Sequence, residues 1–99
     1  MALEMKIPQK GGVSHSKGYV RITDVRVCRK DDNSTFVMVD MACYASKTKR
    51  DAGDRMSSPE IDKRKYDLPA DMGGDPFAWA YGQLKADITM TDIGAMTDV

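Results

Sequence analysis

Thr35-Phe36-Val37-Met38-Val39-Asp40-Met41-Ala42-Cys43-Tyr44-Ala45-Ser46 is rich in β-branched and aromatic residues and reads as a long β-strand. Its odd positions are Val37, Val39, Met41 and Cys43, and its even positions are Phe36, Met38, Asp40, Ala42 and Tyr44. Both sets are mostly apolar, which predicts a central strand covered on each face, one by a helix at 76–86 and the other by strands 2–7 and 59–68 or by a neighbouring protein. Asp40 is the exception and needs a partner if buried. Just upstream, Asp31-Asp32-Asn33-Ser34 is dense in residues that bond their own backbone and tolerate positive φ, so it predicts a turn. Gly18 to Lys30 then reads as the other arm of a hairpin spanning about 18–46. Val20 and Ile22 share one phase of that arm, and Val25 and Val27 share the other. A phase change inside a strand predicts a bulge or bend, here near Thr23-Asp24.

Outward from the hairpin, residues 2–7 alternate, with Leu3, Met5 and Ile7 on one face, and Pro8 closes this short strand. Residues 9–17, which include the only histidine, His15, read as a loop. Residues 47–58 read as a long exposed loop with at most one helical turn around Arg50-Asp51-Ala52. A third strand is expected at 59–68, and its Asp62-Lys63-Arg64-Lys65 centre suits a sheet edge that must resist unwanted pairing. Asp75-Pro76 is a strong helix start. Phe77, Ala80, Tyr81 and Leu84 recur at helical spacing over 76–86. Trp79 lies about 80° off that stripe, and Gly82 suggests close approach of another element. The expected fold is therefore α+β and mainly antiparallel, a small sheet or sandwich around the hairpin with one C-terminal helix. Residues 1–86 form the β-rich domain. Residues 87–99 form a tail docked on a partner, whose spacing is open to a second short helix that forms on docking.

Ninety-nine residues make one domain. Fifteen basic and fifteen acidic residues cancel, which argues against a nucleic-acid binder and eases association with other copies. No apolar run approaches the ~20 residues that span a bilayer, so no membrane role is expected. Met1-Ala2-Leu3-Glu4-Met5-Lys6 lacks the features of a secretion signal, and synthesis in the cytoplasm is the expectation.

Candidate chemistry is sparse. His15 in a Gly/Ser/Lys loop has no evident nucleophile to activate. His15, Cys28 and Cys43 lack the paired spacing of zinc ligands, and Asp31-Asp32-Asn33 matches a calcium loop only in its first residues. No cofactor, metal or catalytic set is expected. In the hairpin register Cys28 falls opposite roughly Val37, which leaves Cys43 about six residues further on, ~20 Å away at ~3.3 Å per residue. A bond within the chain needs Cα atoms within about 7 Å. Cys28 and Cys43 are therefore buried free thiols or partners in a bond to a neighbouring copy. Eight methionines suit an adaptable contact surface. Trp79 packs against the sheet or anchors an interface. With it, Met90, Ile93, Met96 and Val99 complete the candidate interface.

Certain segments carry a likeness that spans nearly the whole chain. They are Met1-Ala2-Leu3, Tyr19-Val20-Arg21-Ile22, Val39 to Ser46, Arg50-Asp51-Ala52-Gly53, Pro76 to Lys85 and the close at Thr97-Asp98-Val99. Together they resemble small virion-associated proteins encoded by tailed bacteriophages near their tail-fibre and baseplate genes. The stretch Asp87 to Met96 departs from that pattern in its length and methionine content. The resemblance implies a non-enzymatic virion component packed between larger tail, baseplate or neck proteins, with those proteins and copies of itself as partners. The alternatives are a capsid decoration (cement) protein, or a cytoplasmic assembly adaptor that is not retained in the particle. The family carries no catalytic residues to transfer.

Overall fold

A computed structural model describes residues 2–99. In chain order the elements are β1 (Leu3–Pro8), β2 (Ser14–Arg29), β3 (Thr35–Tyr44), α1 (Lys47–Asp51), β4 (Lys63–Asp67), α2 (Pro76–Ala86), α3 (Ile88–Ile93) and β5 (Thr97–Asp98). The strands form one antiparallel sheet in the order β4-β3-β2-β1-β5. The fold is thus α+β, with helices gathered on an antiparallel sheet.

The core lies on one face. Val37, Val39, Met41 and Cys43 of β3 are buried there with Leu3, Met5 and Ile7 of β1. Ala80, Tyr81 and Leu84 of α2 pack into the same cluster. The phase change in β2 is a register shift between Ile22 and Asp24. It brings Val20, Ile22, Val25 and Val27 opposite Cys43, Met41, Val39 and Val37, so all four lie on one face, where Val20 and Ile22 are buried, Val25 is half-buried and Val27 stays exposed beyond the core. The Tyr81 hydroxyl accepts from the Ile22 amide at 2.9 Å beside this irregularity. That bond gives the locally disrupted ladder a buried partner from α2.

Asp75 caps α2 as its side chain accepts from the Phe77 and Ala78 amides, each at 3.1 Å. Asn33 takes φ 66° in the β2–β3 turn, which an asparagine tolerates.

Several expectations need correction. β2 begins at Ser14, so His15 lies in a strand opposite Ile7 rather than in a loop. The segment after β3 folds into α1, capped by Ser46, instead of a single turn at 50–52. β4 is shorter than 59–68, because the chain before it turns away. Pro59 bridges Gln9, and the Asp62 carbonyl accepts from the Met41 amide at 2.8 Å. β1 and β4 do not cover the second face of the hairpin, since both lie within its own sheet. Gly82 is not a point of close approach, as a Cβ there would meet nothing within 4 Å. The tight position is Gly18, where a Cβ would sit 2.5 Å from Ile7 Cδ1 and 3.0 Å from the Tyr44 carbonyl.

The largest correction concerns residues 87–99, which fold onto the domain. Met90 of α3 is buried, and Ile93 and Met96 pack against the core cluster. β5 pairs with β1 through Leu3–Asp98 and Glu4–Thr97. The three-to-four spacing of these apolar residues is satisfied by the chain's own sheet, so docking on a partner is not required to bury it.

Candidate contact surface

The sheet's other face carries the side chains of even parity in β3 and those paired with them. It divides into a covered half and an open half. At the end beside α1, Tyr19, Ala42 and Tyr44 form a small buried cluster. Arg50 of α1 stacks on the Tyr19 ring at 4.4 Å from its centroid, and the Tyr19 hydroxyl donates to Glu4 Oε2 at 2.9 Å. A five-residue helix with no buried residue of its own thus closes this half largely through one arginine.

At the other end nothing comparable lies over the sheet. Cys28 and Arg26 of β2 stand opposite Phe36 and Met38 of β3, and Met38 stands opposite Lys65 of β4. Cys28, Phe36 and Met38 are half-buried, forming an apolar strip between charged neighbours. Arg26 is neutralised, 3.3 Å from Asp24 and 2.9 Å from Asp40, which is the partner Asp40 requires. Phe36 instead lies beneath two cations, Lys65 Nζ at 4.6 Å and Lys30 Nζ at 5.7 Å from the ring centroid. Among the described residues neither lysine forms an ion pair. The Lys30 amine, as hydrogen-bonding neighbour and then as like charge, draws Lys65 below its ordinary pKa.

The residues singled out from sequence are dispersed. Met90 is buried in the core on the opposite side, and Ile93 and Met96 are half-buried against it. Trp79 is half-buried against that core and meets Tyr66 edge-on, with centroids 6.4 Å apart and planes at 88°. Val99 is exposed, but its amide donates to the Ala2 carbonyl at the far edge of the sheet. Cys28 and Cys43 are both free. Cys43 stands opposite Val20 and faces the core, whereas Cys28 stands opposite Phe36 on the other face. Sγ of Cys43 donates to the Ile61 carbonyl at 3.3 Å. Burial, then the nearby Asp62 charge, pushes its thiol pKa up to about 11. A bond from Cys43 to another chain would have to unpack the core, so only Cys28 retains that option.

His15, Asp54 and Ser57 border one open cleft of about 230 Å³. The imidazole Nε2 is 3.0 Å from Gln9 Oε1, and Asp54 pairs with Lys49 at 3.1 Å, so no nucleophile is joined to a base there. Among the described residues no three His, Cys, Asp or Glu side chains are placed to hold a metal, and no helix is long and apolar enough to cross a membrane. The chain matches no known family, no curated protein and no solved structure.

Sequence reading left this face to strands 2–7 and 59–68 or to a neighbouring protein, and did not single out the Phe36 strip within it. It also missed Asp87, whose carboxylate accepts from Tyr66 at 2.7 Å and from Arg64 at 2.9 Å.

Proposed function

We propose that this chain is a non-enzymatic structural component of a bacteriophage virion, seated between larger tail, baseplate or neck proteins through the open half of its sheet. The observation that carries the contact role is the Cys28–Phe36–Met38 strip, left half-exposed between charged rows while Val37, Val39 and Met41 to Tyr44 of β3 are buried. An apolar centre inside a polar rim is the usual anatomy of a protein contact. The charged β4 edge beside it discourages strand pairing, which directs a partner to the face. The virion setting is supported by the resemblance carried by Tyr19 to Ile22, Val39 to Ser46 and Pro76 to Lys85.

Size favours an assembly over a stable pair. Three strands ~4.8 Å apart, over about five residues of ~3.3 Å, present about 250 Å². A stable interface needs ~800 Å² per partner. A patch this small holds when several contacts act together, as they do in a particle.

The test is mass spectrometry of purified particles, with a Phe36→Ser/Met38→Ser variant alongside. The wild type is expected in the particles at a fixed ratio to the major proteins, and the variant is expected to fold yet be lost from them. Absence of the wild-type protein, or full retention of the variant, would overturn the proposal.

A further inference from the structure

We infer that the partner meets this surface with an acidic protein segment, one carboxylate lying between Lys30 and Lys65 above the Phe36 ring. This inference rests on the reading of the open half-face as a contact surface. Its basis is an imbalance confined to one end of the strip. Two ammonium groups share one aromatic ring, at 4.6 and 5.7 Å from its centroid, and neither has a carboxylate within ion-pair distance. The nearest acidic residues are otherwise engaged or set aside. Asp32 accepts from the Ser34 hydroxyl at 2.6 Å and from the Ser34 amide at 3.0 Å. Asp67, opposite Phe36, acts on Lys65 as a nearby charge, as Asp32 and Lys30 act on each other, but neither carboxylate pairs with a lysine within ion-pair distance. At the strip's other end Arg26 already holds two carboxylates. An incoming carboxylate would replace repulsion between like charges by two charge-assisted hydrogen bonds. Its neighbouring side chains would cover Phe36 and Met38, the kind of enclosed anchor that dominates contact energies.

Two other occupants fit less well. A nucleic acid binds by neutralising successive phosphates. The Lys30–Lys65 pair offers cations to one anionic group only, Asp24, Asp40 and Asp67 lie on this same face, and the apolar Phe36 and Met38 between them match side chains rather than successive phosphates. A second copy docking symmetrically would set the Lys30–Lys65 pair against itself.

The probe is a fluorescein-labelled decapeptide of alternating glutamate and leucine, followed by anisotropy at low salt, with a thymidylate oligonucleotide of equal charge beside it. The peptide is expected to bind the wild type more tightly than the oligonucleotide does, and more weakly as salt rises. Lys30→Gln/Lys65→Gln and Phe36→Ala are each expected to weaken it at least tenfold. Lys30→Arg/Lys65→Arg should hold it within about threefold, and the distant control Lys10→Gln/Lys17→Gln within twofold. Thermal melts show that each variant folds. No peptide binding, tighter oligonucleotide binding, or an equal loss in the control would overturn the inference. Failure here with Phe36→Ser/Met38→Ser still lost from particles would remove the acidic partner alone. Binding as expected by a protein absent from particles would remove the virion role alone.

Discussion

Replacing Asp87 by alanine should cost about 2–4 kcal/mol, because this carboxylate joins three elements. Its Oδ2 accepts from the Tyr66 hydroxyl at 2.7 Å and from Arg64 Nε at 2.9 Å, both on β4. Its Oδ1 accepts from the Thr89 amide at 2.9 Å as the N-cap of α3, and its own amide ends α2 on the Leu84 carbonyl. Its side chain is 7% exposed. Losing the cap costs ~1 kcal/mol. Leaving the half-buried Tyr66 hydroxyl unpaired costs ~1–2 kcal/mol more. Arg64 is 29% exposed and can turn to water, so its share is discounted to below ~1 kcal/mol. At roughly 5 °C per kcal/mol for this length, the Tm should fall about 10–20 °C. Asp87→Asn keeps the cap and should lose about half as much. Burial pushes the Asp87 carboxyl up, but hydrogen bonds from Tyr66 and Arg64 outweigh it and hold it below its ordinary value. As pH falls, the unfolded chain therefore takes up the proton first. The contribution is complete above the ordinary carboxylate value of ~3.9 and is lost as pH drops through the lower folded value. Melts followed by circular dichroism at pH 7 and in acid check both points. An alanine variant within ~3 °C of the wild type at pH 7, or an asparagine variant worse than the alanine one, would refute the reasoning.

Alkylation of the native protein near pH 8 should modify Cys28 and spare Cys43, whose thiol is buried with its pKa near 11; comparable rates at the two sites, read by peptide mass, would contradict the packing. Met90→Ala should destabilise by about 2–4 kcal/mol, whereas Ile88→Ser, at an exposed position one turn edge away, should stay within ~0.5 kcal/mol by urea unfolding. Gly82→Ala should stabilise by roughly 0.5–1 kcal/mol, since the added methyl meets open space on α2, while Gly18→Ala should destabilise, since Ile7 and the Tyr44 carbonyl must give way.

The parts of the fold legible in the sequence were those set by strong local chemistry. Asp75-Pro76 marks the start of α2, and the phase change between Ile22 and Val25 marks the irregularity in β2. Residues whose role depends on distant neighbours were not legible. β5 is two residues long, and its existence follows from where α3 delivers the chain beside β1. Met90, Ile93 and Met96 have a spacing that fits a partner's groove as well as their own core, and only the tertiary fold decides between them. Asp87 lies between two helices in sequence, and its tie to Arg64 and Tyr66 spans more than twenty residues. The candidate surface was half legible: the apolar even positions of β3 were plain, but which end α1 would cover was not.

The central claim is that the chain works by contact through the open half of its sheet, and a density map of the assembled particle tests it most directly. The account predicts a neighbouring protein seated over Cys28, Phe36 and Met38, with an acidic side chain between Lys30 and Lys65. A map showing that face in solvent while the helical side carries the contacts would contradict it.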